Sequence, residues 1–118
     1  MPACYRRSMN AATRLATYGT LAPGRPNHHQ LAGLNGRWGT GVVRGDLVAE
    51  GWGAGLGYPA LVLDPRGGPI EVHVFESDDL PGHWSRLDAF EGERYRRVVA
   101  DVETSDGTVQ AWIYVAAR

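Results

Sequence analysis

The chain has 118 residues, 43% hydrophobic and 21% charged, with twelve basic against thirteen acidic side chains and a net charge of −1. A chain of this length buries roughly 65% of its unfolded surface, enough for one compact domain, and its near-neutral balance argues against a broad footprint on nucleic acid or an anionic membrane. Every basic residue is arginine, which excludes a catalytic lysine, a Schiff base and a P-loop lysine.

Residues 1–13 have neither helical nor strand periodicity and read as a loose arm, in which Met1 and Met9 are both admissible starts. The arm lacks the apolar stretch of a signal peptide. Its Cys4 is the only cysteine, so it can neither form an intramolecular disulfide nor build a zinc site alone. A reducing interior suits such a chain, and no apolar run reaches the ~18 residues of a membrane span. The expected location is the cytoplasm.

Residues 14–118 read as a single domain. Arg14 to Tyr18 is a short strand running into Gly19-Thr20-Leu21 and a turn-rich Ala22–Pro26 stretch. Asn27 is placed to cap a short helix through Leu31 that Gly33 closes. Residues 36–69 hold most of the sixteen glycines and admit two readings. One is a flexible low-complexity loop; the other is bent, bulged strands in which glycine relieves crowding. Tyr58 to Leu63 reads as a strand, with Pro59 restricting it to an edge or a start, and Asp64–Gly68 as a turn. Ile70 to Phe75 alternates Val72 and Val74 against Glu71 and His73, the mark of a half-buried strand.

Ser77-Asp78-Asp79 offers capping side chains to a helix running to about Phe90, its apolar face formed by Leu80, Trp84, Leu87 and Phe90. Gly92 is its C-cap. Tyr95–Thr104 and Thr108–Ala116 are strand-like runs joined by Ser105-Asp106-Gly107, a hairpin signal. In the second run Val109, Ala111, Ile113 and Val115 share one face, and Gln110, Trp112 and Tyr114 the other. The expected fold is α+β, mostly antiparallel strands with two helices.

Familiar catalytic constellations are missing. There is no Gly-x-Ser-x-Gly elbow and no His-Glu-x-x-His, and the Gly51–Gly57 run does not fit a dinucleotide fingerprint. His28 and His29 point to different faces of a helix and make a poor metal site. Two features are left. At Tyr18-Gly19-Thr20-Leu21 a strand breaks at glycine, which is either a plain turn or a set of backbone N–H groups converging on an oxyanion. Glu91 ends a helix beside Phe90, and is either a solvated helix end or a carboxylate whose pKa is raised by burial and the helix dipole.

The run Tyr18-Gly19-Thr20-Leu21-Ala22-Pro23-Gly24-Arg25-Pro26-Asn27-His28 resembles the opening motif of the γ-glutamylcyclotransferase-like family, nearest to the γ-glutamylamine cyclotransferases and their bacterial relatives. Tyr58-Pro59-Ala60-Leu61, Leu87-Asp88-Ala89-Phe90-Glu91-Gly92, Tyr95-Arg96-Arg97-Val98 and Ala111-Trp112-Ile113-Tyr114 resemble later family blocks in order, over residues 14–116. The resemblance implies a small mixed, mostly antiparallel β-barrel flanked by helices. It implies that Glu91 is the general base and that residues 18–21 hold the γ-glutamyl end of a small-molecule substrate. Glu91 would take a proton from the substrate's α-ammonium, and the amine would close on the γ-carbonyl, releasing 5-oxoproline and a free amine or amino acid. No metal or cofactor is implied, since the nucleophile is the substrate's own. Tyr58 and Tyr114 are candidates for the pocket wall or for barrel filling. Arg97 is a candidate for the substrate carboxylate or for a structural ion pair. A non-enzymatic small-molecule binding module on the same fold, and a biosynthetic γ-glutamyl deprotecting acyltransferase, are the alternative readings. The oligomeric state leaves no trace in the sequence.

Overall fold

The computed structural model describes residues 9–18, 31–48, 60–92 and 95–116. Six strands form its frame: β1 (Arg14–Thr17), β2 (Arg37–Val48), β3 (Ala60–Leu63), β4 (Gly68–Glu76), β5 (Tyr95–Thr104) and β6 (Gly107–Ala116). One α-helix, α1 (Trp84–Glu91), lies between β4 and β5.

Five of the strands close on themselves in the order β2-β4-β1-β6-β5, because β5 returns to β2 at Glu103↔Val42. The pairings are antiparallel except one. β1 runs parallel to β6, with Leu15 opposite Trp112 and Ala16 opposite Ile113, so the barrel is mixed. β3 extends the sheet along the far end of β2, from Gly45↔Leu63 to Val48↔Ala60.

Strand alternation explains why this ring fills. In β6, Ala111, Ile113 and Val115 point inward and meet Ala16, Val43, Leu61, Val72, Val74, Ala100 and Val102 in one buried cluster. Small and branched side chains suit the confined interior of a narrow barrel. The same strands bury their outer faces beneath α1. There Leu15, Leu31, Phe75, Leu80, Trp84, Leu87 and Tyr114 form a second cluster, flanked by Leu34, Trp38, Tyr95 and Trp112.

The glycine-rich middle resolves in favour of strand over residues 37–48, where Gly39, Gly41 and Gly45 all lie within β2. At Gly41 the strands approach so closely that an added Cβ would sit 2.5 Å from Val102 Cγ1. The Gly51–Gly57 run lies outside the described residues, as do residues 27–30 of the helix expected to run through Leu31, while Leu31–Gly33 form a turn.

Three expectations need correction. Met9–Thr13 is not part of a loose arm but a 3-10 helix, whose Ala11 is buried and whose Ala12 carbonyl accepts the Trp84 indole N–H at 3.0 Å. The stretch after Asp79 is not one continuous helix. A 3-10 turn over Leu80–Gly82, with Pro81 near its start, precedes α1, and neither piece has a side-chain cap hydrogen bond at its N-terminus. Ser77 is nevertheless placed by local bonding: its Oγ accepts the Asp79 N–H at 3.0 Å and donates to the Asn35 carbonyl. Phe90 does not complete the apolar face. Leu80, Trp84 and Leu87 are buried, whereas Phe90 is 39% exposed, because at ~3.6 residues per turn successive steps of three carry it about 120° around the helix from Trp84.

The remaining boundaries follow the sequence. Gly92 ends α1 with φ 85°, a left-handed conformation suited to glycine, and its N–H donates to the Asp88 carbonyl at 3.0 Å. The β5–β6 hairpin pairs Thr104 with Gly107, and Gly107 takes φ 111°.

Candidate functional site

The end of α1 brings the chemistry together. Gly92 stops the helix one residue after Glu91, and the Tyr95 N–H then donates to the Gly92 carbonyl at 3.3 Å, so the chain reverses directly into β5. Glu91 is thereby left half-buried on the last helical turn. Burial penalises its charged form and lifts its pKa from 4.5 to about 7. Among the described residues no arginine pairs with it to reverse that effect.

Two tyrosine hydroxyls lie within electrostatic range of Glu91. The first belongs to Tyr18, immediately after β1. Its O–H donates to the Tyr114 carbonyl at 2.8 Å and accepts the Leu61 N–H at 2.9 Å, tying β6 to β3 across the barrel. Burial pushes this phenol well above the ordinary tyrosine value, the Leu61 N–H works against that shift, and the nearby Tyr95 and Glu91 add to it. The second belongs to Tyr114 on β6. Burial pushes it upward too, and its hydrogen bond to Asp88 and the charges of Asp88 and Glu91 reinforce the shift while Arg97 opposes it.

Asp88 sits one turn before Glu91 on α1. Its Oδ1 accepts the Tyr114 O–H at 2.7 Å and the Arg97 Nε–H at 2.8 Å, and its Oδ2 accepts from an Arg97 terminal nitrogen at 3.2 Å. The bonds from Arg97 are the main reason its carboxyl titrates below the usual range, with burial opposing them and Tyr114 assisting. Arg97 is itself packed against the Trp84 and Trp112 rings, its guanidinium carbon 4.4 and 4.3 Å from their centroids. A guanidinium held this way suits a structural ion pair rather than a free carboxylate receptor. A cleft of about 530 Å³ opens along this edge, between Asp88, Ala89 and Gly92 on one side and Tyr95, Arg97 and Tyr114 on the other. Glu91 is not on its wall.

The structure thus draws Tyr18, Glu91 and Tyr114 together. Gly19, Thr20, Leu21 and Tyr58 lie outside the described residues. Sequence reasoning did not assign a role to Asp88, to Trp84 and Trp112 as a cradle for Arg97, or to the Leu61 amide. For Asp88 the signal was present, since residues three apart on a helix share a face; a backbone amide such as Leu61's leaves no signal.

The family model described as gamma-glutamyl cyclotransferase, AIG2-like, matches residues 15–118. No curated protein sequence matches the chain. Among solved structures, an AIG2-like protein from Mus musculus superposes with a TM-score of 0.72 at 25% identity, over 89% of this chain and 77% of that one. YkqA from Bacillus subtilis gives 0.69 at 32% identity, over 89% of this chain but only 36% of its own. An uncharacterised protein from Pyrococcus horikoshii gives 0.61 at 28% identity, over 90% and 79%. None of the helices among the described residues is long and apolar enough to cross a membrane.

Proposed function

From the premise that this chain belongs to the gamma-glutamyl cyclotransferase, AIG2-like family, we propose that it converts a γ-glutamyl amine or γ-glutamyl amino acid to 5-oxoproline, with Glu91 as general base. The observation that carries the reading is a half-buried carboxylate with no arginine partner among the described residues, its pKa lifted by burial to about 7. A base of that strength is half ionised near neutral pH and is strong enough to draw a proton toward itself.

The substrate's α-ammonium is inert until it loses a proton. Glu91 accepts that proton, and the freed amine attacks the γ-carbonyl carbon. The new C–N bond closes a five-membered ring, and the carbonyl π electrons move onto oxygen. As the tetrahedral intermediate collapses, the oxygen's electrons re-form the carbonyl and the bond to the leaving nitrogen breaks; protonated Glu91 returns its proton to that nitrogen, and the ring nitrogen gives up its second proton to solvent, leaving the lactam N–H. Charge on the oxygen would be met by the backbone N–H groups of Gly19–Leu21, each well-placed donor contributing ~3 kcal/mol. Tyr58 and Tyr114 would line the pocket. Because the attack is intramolecular, holding the substrate folded supplies much of the acceleration, and the chemistry calls for no resident metal or cofactor. A cytoplasmic pool of γ-glutamyl compounds would serve as substrate.

The test is mass spectrometry of the purified chain with a panel of γ-glutamyl compounds, including γ-glutamyl-ε-lysine and γ-glutamyl-alanine. Formation of 5-oxoproline by the wild type and its loss in Glu91→Gln is the expected result. Free glutamate in place of 5-oxoproline, or undiminished turnover in the variant, would overturn the reaction or the base respectively.

A further inference from the structure

We propose that Asp88 is a positioning residue for Glu91: it fastens the last turn of α1 to β5 and β6 and so fixes where that turn holds the Glu91 carboxylate. The inference rests on the reading of Glu91 as the base and extends it to a residue that does not touch substrate.

The helix needs such a fastening. It is eight residues long and has no side-chain cap at its start, and a helix that short has little stability of its own. Trp84 and Leu87 anchor it on its apolar side. Among the described residues its final turn, where Phe90 is 39% exposed, has no buried apolar side chain of that kind. Asp88 takes over there through four hydrogen bonds. Its carboxylate accepts one from Tyr114 on β6 and two from Arg97 on β5. Its backbone carbonyl accepts the fourth from Gly92, the bond that ends the helix just past Glu91.

Both partners are themselves immobilised. Arg97 is packed against Trp84 and Trp112, and Trp84 is tied to the Ala12 carbonyl. Tyr114 faces Arg97 across the β5–β6 ladder, and its carbonyl accepts the Tyr18 hydroxyl. The path from Glu91's helical turn to Tyr18 therefore passes through Asp88 and Tyr114 with a hydrogen bond at each inter-element step. An ordinary surface ion pair has none of this: Arg44–Glu103, at 3.8 Å with side chains 46% and 57% exposed, makes one loose contact.

The pairing has a second consequence. The ionisable groups whose charge couples to that of Glu91 are Tyr18, just after β1, and Tyr114 on β6; Asp88 lies one turn earlier on the same helix, and Arg97 on β5 is bonded to Asp88. Burial is what raises the Glu91 pKa, so loss of Asp88 would let water reach the last turn and favour the charged carboxylate.

The experiment follows the Glu91 carboxyl by carbon-13 NMR titration in the full chain, with steady-state kinetics and thermal melts alongside, for wild type, Asp88→Asn and Tyr114→Phe. In Asp88→Asn the Glu91 proton affinity should drop tenfold or more and kcat should fall ~10- to 100-fold with KM little changed, the signature of a displaced catalytic group. The acid limb of the kcat profile should move to lower pH with it. Tyr114→Phe removes one oxygen and should move both readouts in the same direction by a few-fold, which keeps the question answerable should Asp88→Asn fail to fold. A lower melting temperature with unchanged Glu91 titration and unchanged kcat would make Asp88 merely structural and overturn the proposal. If Glu91→Gln still turns over while Asp88→Asn shifts the titration, the base reading falls and the positioning stands.

Discussion

Inside the ring of strands, Ala16, Val43, Leu61, Val72, Val102, Ala111 and Ile113 pack together in one buried apolar cluster. Outside it, between α1 and the strands, Leu15, Leu80 and Leu87 share their layer with Trp84, Trp112 and Tyr114, and the Arg97–Asp88 pair sits against the two indoles. The interior is held by shape and burial, and nothing in it titrates near neutral pH. The outer layer is held partly by directed bonds whose geometry fixes a carboxylate. Among the described residues, no buried side-chain nitrogen or oxygen lacks a hydrogen-bond partner. The lesson is that the same β5 and β6 residues serve both ends: alternation sends Val98, Ala100 and Ile113 inward for stability, and Arg97 and Tyr114 outward to meet the helix.

Glu91→Gln should separate the two layers most sharply. Turnover should fall by two to four orders of magnitude, while the melting temperature holds or rises, since a neutral amide replaces a carboxylate that burial disfavours. A large loss of stability would mean that Glu91 belongs to the frame.

Ile113→Ala should do the reverse. Ile113 is fully buried, so truncation should cost ~2–5 kcal/mol in chemical denaturation, with the Glu91 titration midpoint unchanged in the protein that remains folded. A cost under ~1 kcal/mol would contradict the close packing described for the barrel.

Arg97→Lys keeps the charge but loses the paired bonds and the planar contact with the indoles. Its side chain is 19% exposed and that of Asp88 45%, so solvent screening limits the cost to about 1 kcal/mol. Equal stability of the two proteins in denaturant titration would show the stacking to be energetically silent.

The pH dependence has opposite signs for two carboxylates one helical turn apart. The folded pKa of Glu91 is raised from 4.5 to about 7, so the folded state binds the extra proton and stability declines as pH rises through that window. The folded pKa of Asp88 is depressed, chiefly by Arg97. Its contribution is present above the ordinary aspartate range and is lost as pH falls through the depressed value. Melting curves from pH 4 to 8 should therefore show a downward slope that Glu91→Gln abolishes and that Asp88→Asn shortens from its high-pH end, as the lower Glu91 proton affinity of that variant requires.

Much of this architecture was written in local pattern. Period-two alternation in Ile70–Phe75 and Val109–Val115, the Ser105-Asp106-Gly107 turn and the glycine after Glu91 each carry their own physical cause, and each appears where its pattern places it. Phe90 departs from the expected face because a spacing of three, repeated, rotates away from the stripe that Trp84 and Leu87 bury. Met9–Thr13 was missed because its order comes from contact with Trp84, 72 residues away.

The sequence by itself determined the strands, the hairpin, the end of α1 and the presence of an acidic residue at that end, because these depend on backbone preferences and side-chain period over a few residues. Only the tertiary structure decided that β1 runs parallel to β6, that Tyr18 reaches both the Tyr114 carbonyl and the Leu61 amide, and that Arg97 is spent on Asp88. Those facts join positions far apart in the chain, and the burial that raises Glu91's pKa exists only once the strands have closed.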